Sequence, residues 1–503
     1  MIPKIQRDDC LSTRDGHLYI EDYDTVDLAR RFGTPLFVLS ENKIRRNLRC
    51  FQESFEKGWT EGPVKIMPAV KANWIPAVQR IIVDEGCGCD VYSPGELSIA
   101  LDAGFEPDHI SVNGVPKDEE HIYRCVKEGV RITIDSMEEV ALIERAADEL
   151  GSTALVRLRL KPHISGFCKR SDFSPEGLVP TDIAAMIYKN GLSYEEIMGI
   201  APQIVGMKNV ELVGFHVHQG RHHPSTRYWQ EQMKSFAYEV GRVCKALGGF
   251  KPQEIDIGGG FAVGRNPFNA LTDHKKPVQL AVLHLLAKAL RMTGRKGRDW
   301  TLSKVLERIV TRSTQKEAPT IEDYAEVCTR TLREELQKNG IDIKELTLQV
   351  EPGRAIHENA GIHLATVKNL KRITHPFRWS FIIVDTTLFW FTAGRLEAYL
   401  HDYVFANKTD AEMCGKADIN GRSCGSDRLI PNVPVPEVEV GDLLAILDCG
   451  AYQEVSMSNY NAIPRPATLL VSGDEVWVIR RQETEEDVRR RDVIPAHLNR
   501  GSG

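Results

Sequence analysis

Between about Thr34 and Thr374, short apolar runs alternate with longer segments of helical pattern, and this rhythm constrains the fold more than any other feature. Pro35 to Ser40 reads as a strand and Glu41 to Glu56 as a helix. Val64 to Val70 is followed by a helical Ile75 to Glu85. The same order recurs in Cys89 to Tyr92 then Pro94 to Ala103, Ile110 to Asn113 then Lys117 to Lys127, and Arg131 to Ile134 then Met137 to Leu150. Further strands are expected at Ala154 to Leu160, Val210 to Val217, Glu254 to Ile257 and Leu346 to Val350. Such alternation predicts an α/β unit, a parallel sheet with helices outside it. About eight repeats fit a closed (β/α)8 TIM barrel better than an open sheet, which places catalytic groups just after the strands, at the C-terminal mouth.

After His375 the pattern changes. Phe377 to Phe391 is dense in aromatic and β-branched residues. Val438 to Cys449 and Ala467 to Arg480 alternate around turn signals such as Val440-Gly441-Asp442. This predicts an all-β domain, a barrel or sandwich, to which Gly16 to Tyr23 adds a strand. The expected division is a barrel over 35–375 and a β domain built from 1–34 and 376–503. Within the barrel, Arg265 to Arg312 carries eleven Lys or Arg against three acids, and the apolar Val278 to Leu290 has a helical pattern. The stretch at about 265–316 is therefore expected to be a basic helical insertion with a solvated face.

The chain has 503 residues, enough for two to four domains. Its 64 Lys and Arg against 70 Asp and Glu give a net charge of −6, which argues against a general nucleic-acid binder. No apolar stretch reaches the ~20 residues needed to span a bilayer. Met1 to Leu11 is charged and has no apolar core of a secretory signal. Eleven scattered cysteines fit a reduced, cytoplasmic protein. Cys87 and Cys89 form a C-x-C pair, but no second ligand pair follows at zinc spacing, so no metal is expected there.

Four segments carry chemistry. Ala69-Val70-Lys71-Ala72-Asn73 follows an apolar strand, and a lysine there can act as a carbonyl-binding amine if desolvation lowers its pKa. His216-Val217-His218 puts alternating imidazoles at a strand end, with His222 and His223 nearby. These could bind a metal, stack on a flat cofactor, or simply hydrogen-bond in a polar mouth. Gly258-Gly259-Gly260 lets backbone N–H groups approach a phosphate closely, although the dinucleotide spacing is absent and a plain turn is the alternative. Glu351-Pro352-Gly353-Arg354 offers a carboxylate, a rigid turn and a guanidinium suited to bidentate oxygen contacts, or only an ion pair at a turn.

A lysine, an imidazole, a glycine run and a carboxylate, each after a different barrel strand, are the parts needed to hold pyridoxal phosphate. At these motifs the chain resembles the fold-type III, alanine-racemase-like pyridoxal phosphate enzymes, specifically the diaminopimelate/ornithine decarboxylase group. The resemblance runs from Gly33 to Asp487 outside the basic insertion. It includes Asp90-Val91-Tyr92-Ser93-Pro94-Gly95-Glu96, Ile134-Asp135-Ser136, Cys424-Gly425-Ser426-Asp427 and Asp448-Cys449-Gly450-Ala451-Tyr452. It implies that Lys71 carries the cofactor, His218 stacks on its ring, Gly258, Gly259 and Gly260 cup the phosphate, and Glu351 meets the pyridine nitrogen. Arg354 and Tyr452 would lie near the phosphate or the reacting centre. Arg395 and Tyr399 resemble the substrate-carboxylate clamp. Cys424 resembles the cysteine that reaches the partner's active site in a head-to-tail homodimer, so Lys71, His218 and Cys424 are the expected catalytic groups.

The resemblance also implies a reaction. A carboxylate beside the ring nitrogen keeps it protonated and able to accept electrons, which favours decarboxylation. Racemases of this fold place an arginine there. A racemase and a non-catalytic, partner-binding homologue are the competing expectations.

Three departures bear on the substrate, an amino acid. Gly425 follows Cys424 where the group carries an acid. Arg221 stands where a serine is usual. Thr386 replaces an acid that reads a distal amine. A buried ammonium without an anion is costly, so a simple diamine-type substrate is not expected to be read in the usual way unless Asp427 takes over that role.

Overall fold

Eight short strands run parallel in chain order: Val64–Ile66, Cys89–Val91, Ile110–Val112, Arg131–Ile134, Ala154–Arg159, Val210–His216, Glu254–Asp256 and Thr347–Val350. The last pairs with the first, Leu348 opposite Val64. A parallel bridge between Ala69 and Asp90 joins the first strand's extension to the second strand and closes the ring. This computed structural model describes residues 9–498 apart from 162, 165, 172–173, 181–182, 184–187, 219–223, 264–284, 286–317, 375–377 and 392–400. Apart from Leu285, the basic insertion expected at 265–316 therefore lies outside the described residues, as do Arg221, His222, His223, Arg395 and Tyr399.

The barrel helices start and stop where local chemistry dictates. Ser93 and Asp118 accept from backbone N–H groups of the first turns of Pro94–Ala103 and Glu119–Glu128, and left-handed Gly104 and Gly129 end them. Capping boxes, Ser193 with Glu196 and Thr320 with Asp323, open Tyr194–Gly206 and Ile321–Lys338. Outward strand residues such as Val156 and Leu158 join the helices in one large apolar core.

The inward residues are different. Arg157 is fully buried and donates to Asp256 at 2.6 Å, Gln349 at 2.8 Å, Thr133 at 3.1 Å and Ser111. One guanidinium thus ties five strands together in a polar barrel interior.

The second domain is a nine-stranded mixed sheet. Leu36–Ser40, expected to belong to the barrel, lies in this sheet instead. It pairs antiparallel with Gly361–Ile373 and parallel with Ala467–Ser472. A buried apolar strand followed by a helix looks the same in sequence whichever sheet it joins; its partners here come from more than 300 residues away. Gly361–Ile373 was likewise expected inside the barrel and is the hub of this sheet, with Trp379–Val384 and Leu443–Ile446 also paired to it. The N-terminal strands Leu11–Arg14, His17–Ile20 and Tyr23–Asp24 form their own three-stranded sheet, and Leu18 N–H donates to Ala406 C=O at 2.7 Å. Their apolar side chains share a core with the second domain.

Among the described residues, no helix is long and apolar enough to cross a membrane.

Candidate active site

The turn after the first barrel strand is a short 3-10 helix, Val70–Ala72, with Lys71 at its centre. Val70 and Ala72 are buried, and the Lys71 side chain is 44% exposed at the barrel mouth. Its Nζ lies 3.2 Å from Asp90 Oδ2 in the second strand. Burial lowers the ammonium's pKa, but Asp90, then Tyr452 and Glu351, outweigh it and the net shift is upward. A desolvated amine of lowered pKa is what the sequence predicts at Lys71. The structure instead pairs the amine with a carboxylate.

From Asp90 a hydrogen-bonded line crosses the mouth. Asn113 Nδ2 donates to Asp90 Oδ1 at 2.6 Å and to Glu351 Oε1 at 2.7 Å. Glu351 Oε2 is 3.2 Å from His216 Nε2. Glu351 and Asp256 are both buried, and burial pushes both carboxyls up to about 7. Burial pulls the His216 imidazole down to about 3, so the ring is neutral. His216, Asp256 and Glu351 are close enough to hold a metal ion. Arg157 already places a positive group on Asp256, and the neutral Asn113 amide donates to Glu351.

His218 lies two residues beyond His216. Its Nδ1 accepts from Gly259 N–H at 2.9 Å, and Arg159 donates to its carbonyl at 2.9 Å. A Cβ on Gly259 would sit 2.0 Å from the Glu351 carbonyl, and Gly258 has φ +67°. Gly260 is also left-handed, at φ +99°. The glycine run is therefore packed between the His218 and Glu351 segments, an approach a side chain would block.

Arg354 is buried rather than a surface ion pair at a turn. It donates to Glu358 at 2.8 Å, and its guanidinium lies 4.8 Å from the centre of the Tyr452 ring. Tyr452 comes from the second domain, yet its hydroxyl would be 2.7 Å from a Cβ on Gly353. Thus Lys71, His218, the glycine run, Glu351, Arg354 and Tyr452 converge on one mouth.

Cys424 and Asp427 are placed differently. Cys424 is exposed, and its sulfur is 3.3 Å from Tyr460 Oη and 3.2 Å from Asn461 Nδ2, both in the second domain. Those two hydrogen bonds hold the thiol below its ordinary pKa. Phe389 stacks on Tyr460 at 4.0 Å. Asp427, expected at the substrate, is buried with its oxygens taken by Thr387 Oγ1 at 3.1 Å, Leu388 N–H and Ser423 N–H at 2.7 Å. It braces the Cys424 loop and is left-handed at φ +39°. Cys87 and Cys89 are both buried, with thiols pushed up by desolvation.

Sequence reasoning did not single out Asp90, Asn113, Arg157 or Asp256 as site residues. One signal was available: in Ala154 to Leu160, Arg157 and Arg159 alternate with apolar residues of a buried strand, which points charges into the barrel.

The donor set fits a phosphorylated pyridine aldehyde. It offers an amine at the mouth, backbone N–H groups beside glycines, a flanking imidazole, and a buried carboxylate suited to a protonated ring nitrogen.

The family described as "Pyridoxal-dependent decarboxylase, pyridoxal binding domain" matches residues 41–286. Diaminopimelate decarboxylase of Methanocaldococcus jannaschii is 28% identical over 506 residues, covering 97% of this chain and 98% of that protein. The Bacillus subtilis diaminopimelate decarboxylase is 26% identical, covering 95% of each. The crystal structure of the M. jannaschii enzyme in complex with L-lysine superposes with a TM-score of 0.79 at 28% identity, covering 98% of this chain and 99% of that one.

Proposed function

Because the chain belongs to the pyridoxal phosphate-dependent, fold-type III decarboxylases, we propose that it removes CO₂ from a diaminopimelate-like amino acid through the mouth built on Lys71 and Glu351. The observation that carries the reading is the line Lys71–Asp90–Asn113–Glu351. It sets an amine and a buried carboxylate at opposite ends of one hydrogen-bonded chain. When bound, the cofactor supplies a protonated ring that accepts the electron pair left at Cα as CO₂ departs.

The chain's own residues do the rest. Lys71 Nζ would hold the cofactor at its carbonyl carbon, and Asp90 orients that amine. Glu351 keeps the ring nitrogen protonated, held in place by Asn113 and His216. His218 covers a ring face, and its Nδ1 is oriented by Gly259 N–H. The glycine run would cup the phosphate at Gly260, because Gly258 N–H is held by Asp256 and Gly259 N–H by His218, with Arg354 and Tyr452 beside it. A carboxylate at the Glu351 position, not a guanidinium, favours decarboxylation over racemisation.

Cys424 Sγ holds the proton returned to Cα. Its hydrogen bonds to Tyr460 and Asn461 are made within the second domain and its thiol is exposed, which supports a head-to-tail dimer in which it serves the partner's site. Arg395 and Tyr399 are the proposed clamp for a substrate carboxylate. The unpaired thiols of the described cysteines suit a reducing, cytoplasmic compartment.

Diaminopimelate is the first substrate to try: the relative's structure holds L-lysine, which is diaminopimelate less CO₂. The purified protein with pyridoxal phosphate should show a visible absorbance band and release CO₂ from one member of a panel of L-, D- and meso-amino acids. Optical inversion without CO₂ release, or failure to take up pyridoxal phosphate, would overturn the reading.

A further inference from the structure

His216, Asp256 and Glu351 are buried, and one ligating atom of each lies within 4.8 Å of the others. The strands force this meeting. His216 stands directly opposite Asp256 in the register, and Glu351 follows the neighbouring strand Thr347–Val350. The Asp256 and Glu351 carboxyls are therefore buried neighbours. Two like charges that close and that buried oppose each other's ionisation.

The surrounding charges do not supply enough cations. Lys71 is paired with Asp90 at 3.2 Å, Arg131 with Glu254 at 2.7 Å and Arg159 with Asp135 at 3.0 Å. That leaves Arg157, at 2.6 Å from Asp256 and 3.6 Å from Glu254, as the cation in direct contact with the cluster among the described residues. Glu351 receives only neutral donors, Asn113 and His216. Burial opposes a positive His216, and the Tyr452 phenol adds no positive charge. Two carboxyls therefore share one guanidinium in the buried barrel interior, and an unbalanced buried charge is expensive.

We propose that, in the cofactor-free protein, Asp256 and Glu351 hold one proton between their carboxyls, so that Asp256 is a positioning residue governing the charge of Glu351. Asp256 is well placed for this. One oxygen is held by Arg157 and the other accepts from Gly258 N–H at 2.8 Å. The same carboxyl thus ties the barrel interior to the glycine run. The consequence for the cofactor rests on the proposed function, in which Glu351 meets the ring nitrogen; the shared proton does not.

The test is infrared spectroscopy of the full-length, cofactor-free protein titrated through about pH 7. The expected result is a protonated-carboxyl band that titrates near that pH. In both Asp256→Asn and Glu351→Gln it should no longer titrate near pH 7, because removing either acid lets the other ionise at lower pH. In Asp256→Asn the Glu351 titration should fall by at least about one pH unit, a change that a purely structural role would not produce. A wild-type protein with no such band overturns the proposal, whether the cluster is fully ionised, metal-bound or protonated on His216. A band that still titrates near pH 7 after either substitution belongs to another buried acid, such as Glu139 or Glu454, and also overturns it. If Asp256→Asn does not fold, wild type and Glu351→Gln alone decide the question. No cofactor or substrate is involved, so the outcome is separate from the decarboxylase assay.

Discussion

The backbone N–H of Tyr452 donates to the carbonyl of Ala72 over 2.7 Å. A turn of the sheet domain thereby sits on the same three-residue helix that carries Lys71. Asn73 adds a second bond, from Nδ2 to the Gly450 carbonyl at 3.0 Å, and Arg480 lies over the Trp74 ring at 4.2 Å. The barrel's reactive turn is thus held from outside the barrel, and the two domains build one mouth.

Lys71→Ala should abolish the visible absorbance of the pyridoxal phosphate-loaded protein and lower turnover by at least about 10²-fold, the lower end for losing a group that acts on the reacting atoms. Circular dichroism should remain that of the wild type, since the side chain is half exposed. An unchanged absorbance band would remove Lys71 as the anchor.

Asn113→Ala leaves one oxygen each of Asp90 and Glu351 without its donor. Buried acceptors deprived of a partner cost about 1–3 kcal/mol. Urea denaturation of the cofactor-free protein should register that loss, and titration with pyridoxal phosphate should show weaker uptake. Unaltered uptake would mean that Asn113 does not orient Glu351.

Arg157→Met removes the guanidinium from a fully buried set of partners. Breaking a buried ion pair on one side costs about 3–5 kcal/mol. Adding Asp256→Asn should recover part of this, because the orphaned charge is removed with its partner. Additive losses in the double variant would show that the two residues are not coupled.

His216, His357 and His363 are buried, and desolvation pulls each imidazole from 6.5 down to about 3. Their folded pKa lies below the unfolded one, so their contribution to stability is complete above about pH 6.5. It is lost as the pH falls from there toward 3, where the unfolded chain binds protons that the folded one refuses. Melting temperature should fall steeply over that window. His363→Gln keeps a partner for Thr386, 2.9 Å away, and should flatten the fall. An identical slope in the variant would contradict this account.

Cys424→Ala should leave the melting temperature nearly unchanged, because the side chain is exposed, while turnover falls sharply. Mixing it with Lys71→Ala after dissociation should restore about a quarter of wild-type activity, since half the dimers are then mixed and each has one complete site. No recovery would argue against a site shared between subunits.

Much of the site was legible along the chain because its parts sit at strand ends, where motif and position coincide. Lys71, His218, Gly258 to Gly260 and Glu351 each follow an apolar strand, and the barrel alternation says that such ends share a mouth. Asp90 and Asp256 stood inside motifs of the resemblance, but nothing in their spacing said which charge each would meet. Asn113 carried no signal at all: an amide after a strand becomes a bridge only when carboxylates from two other strands come within 3 Å of it.

What the sequence determined by itself was periodic and local. The strand–helix rhythm specified a barrel, and the residue types at strand ends named a chemistry. Tertiary structure alone decided partnership. It moved Leu36–Ser40 out of the barrel and into the second sheet, turned Asp427 from a substrate contact into a loop brace, and put Arg157 between five strands. The physical reason is that hydrophobic burial is non-directional and shows as a pattern along the chain. Pairing of strands and buried charges depends on distances between residues far apart in sequence, which only the closed fold sets.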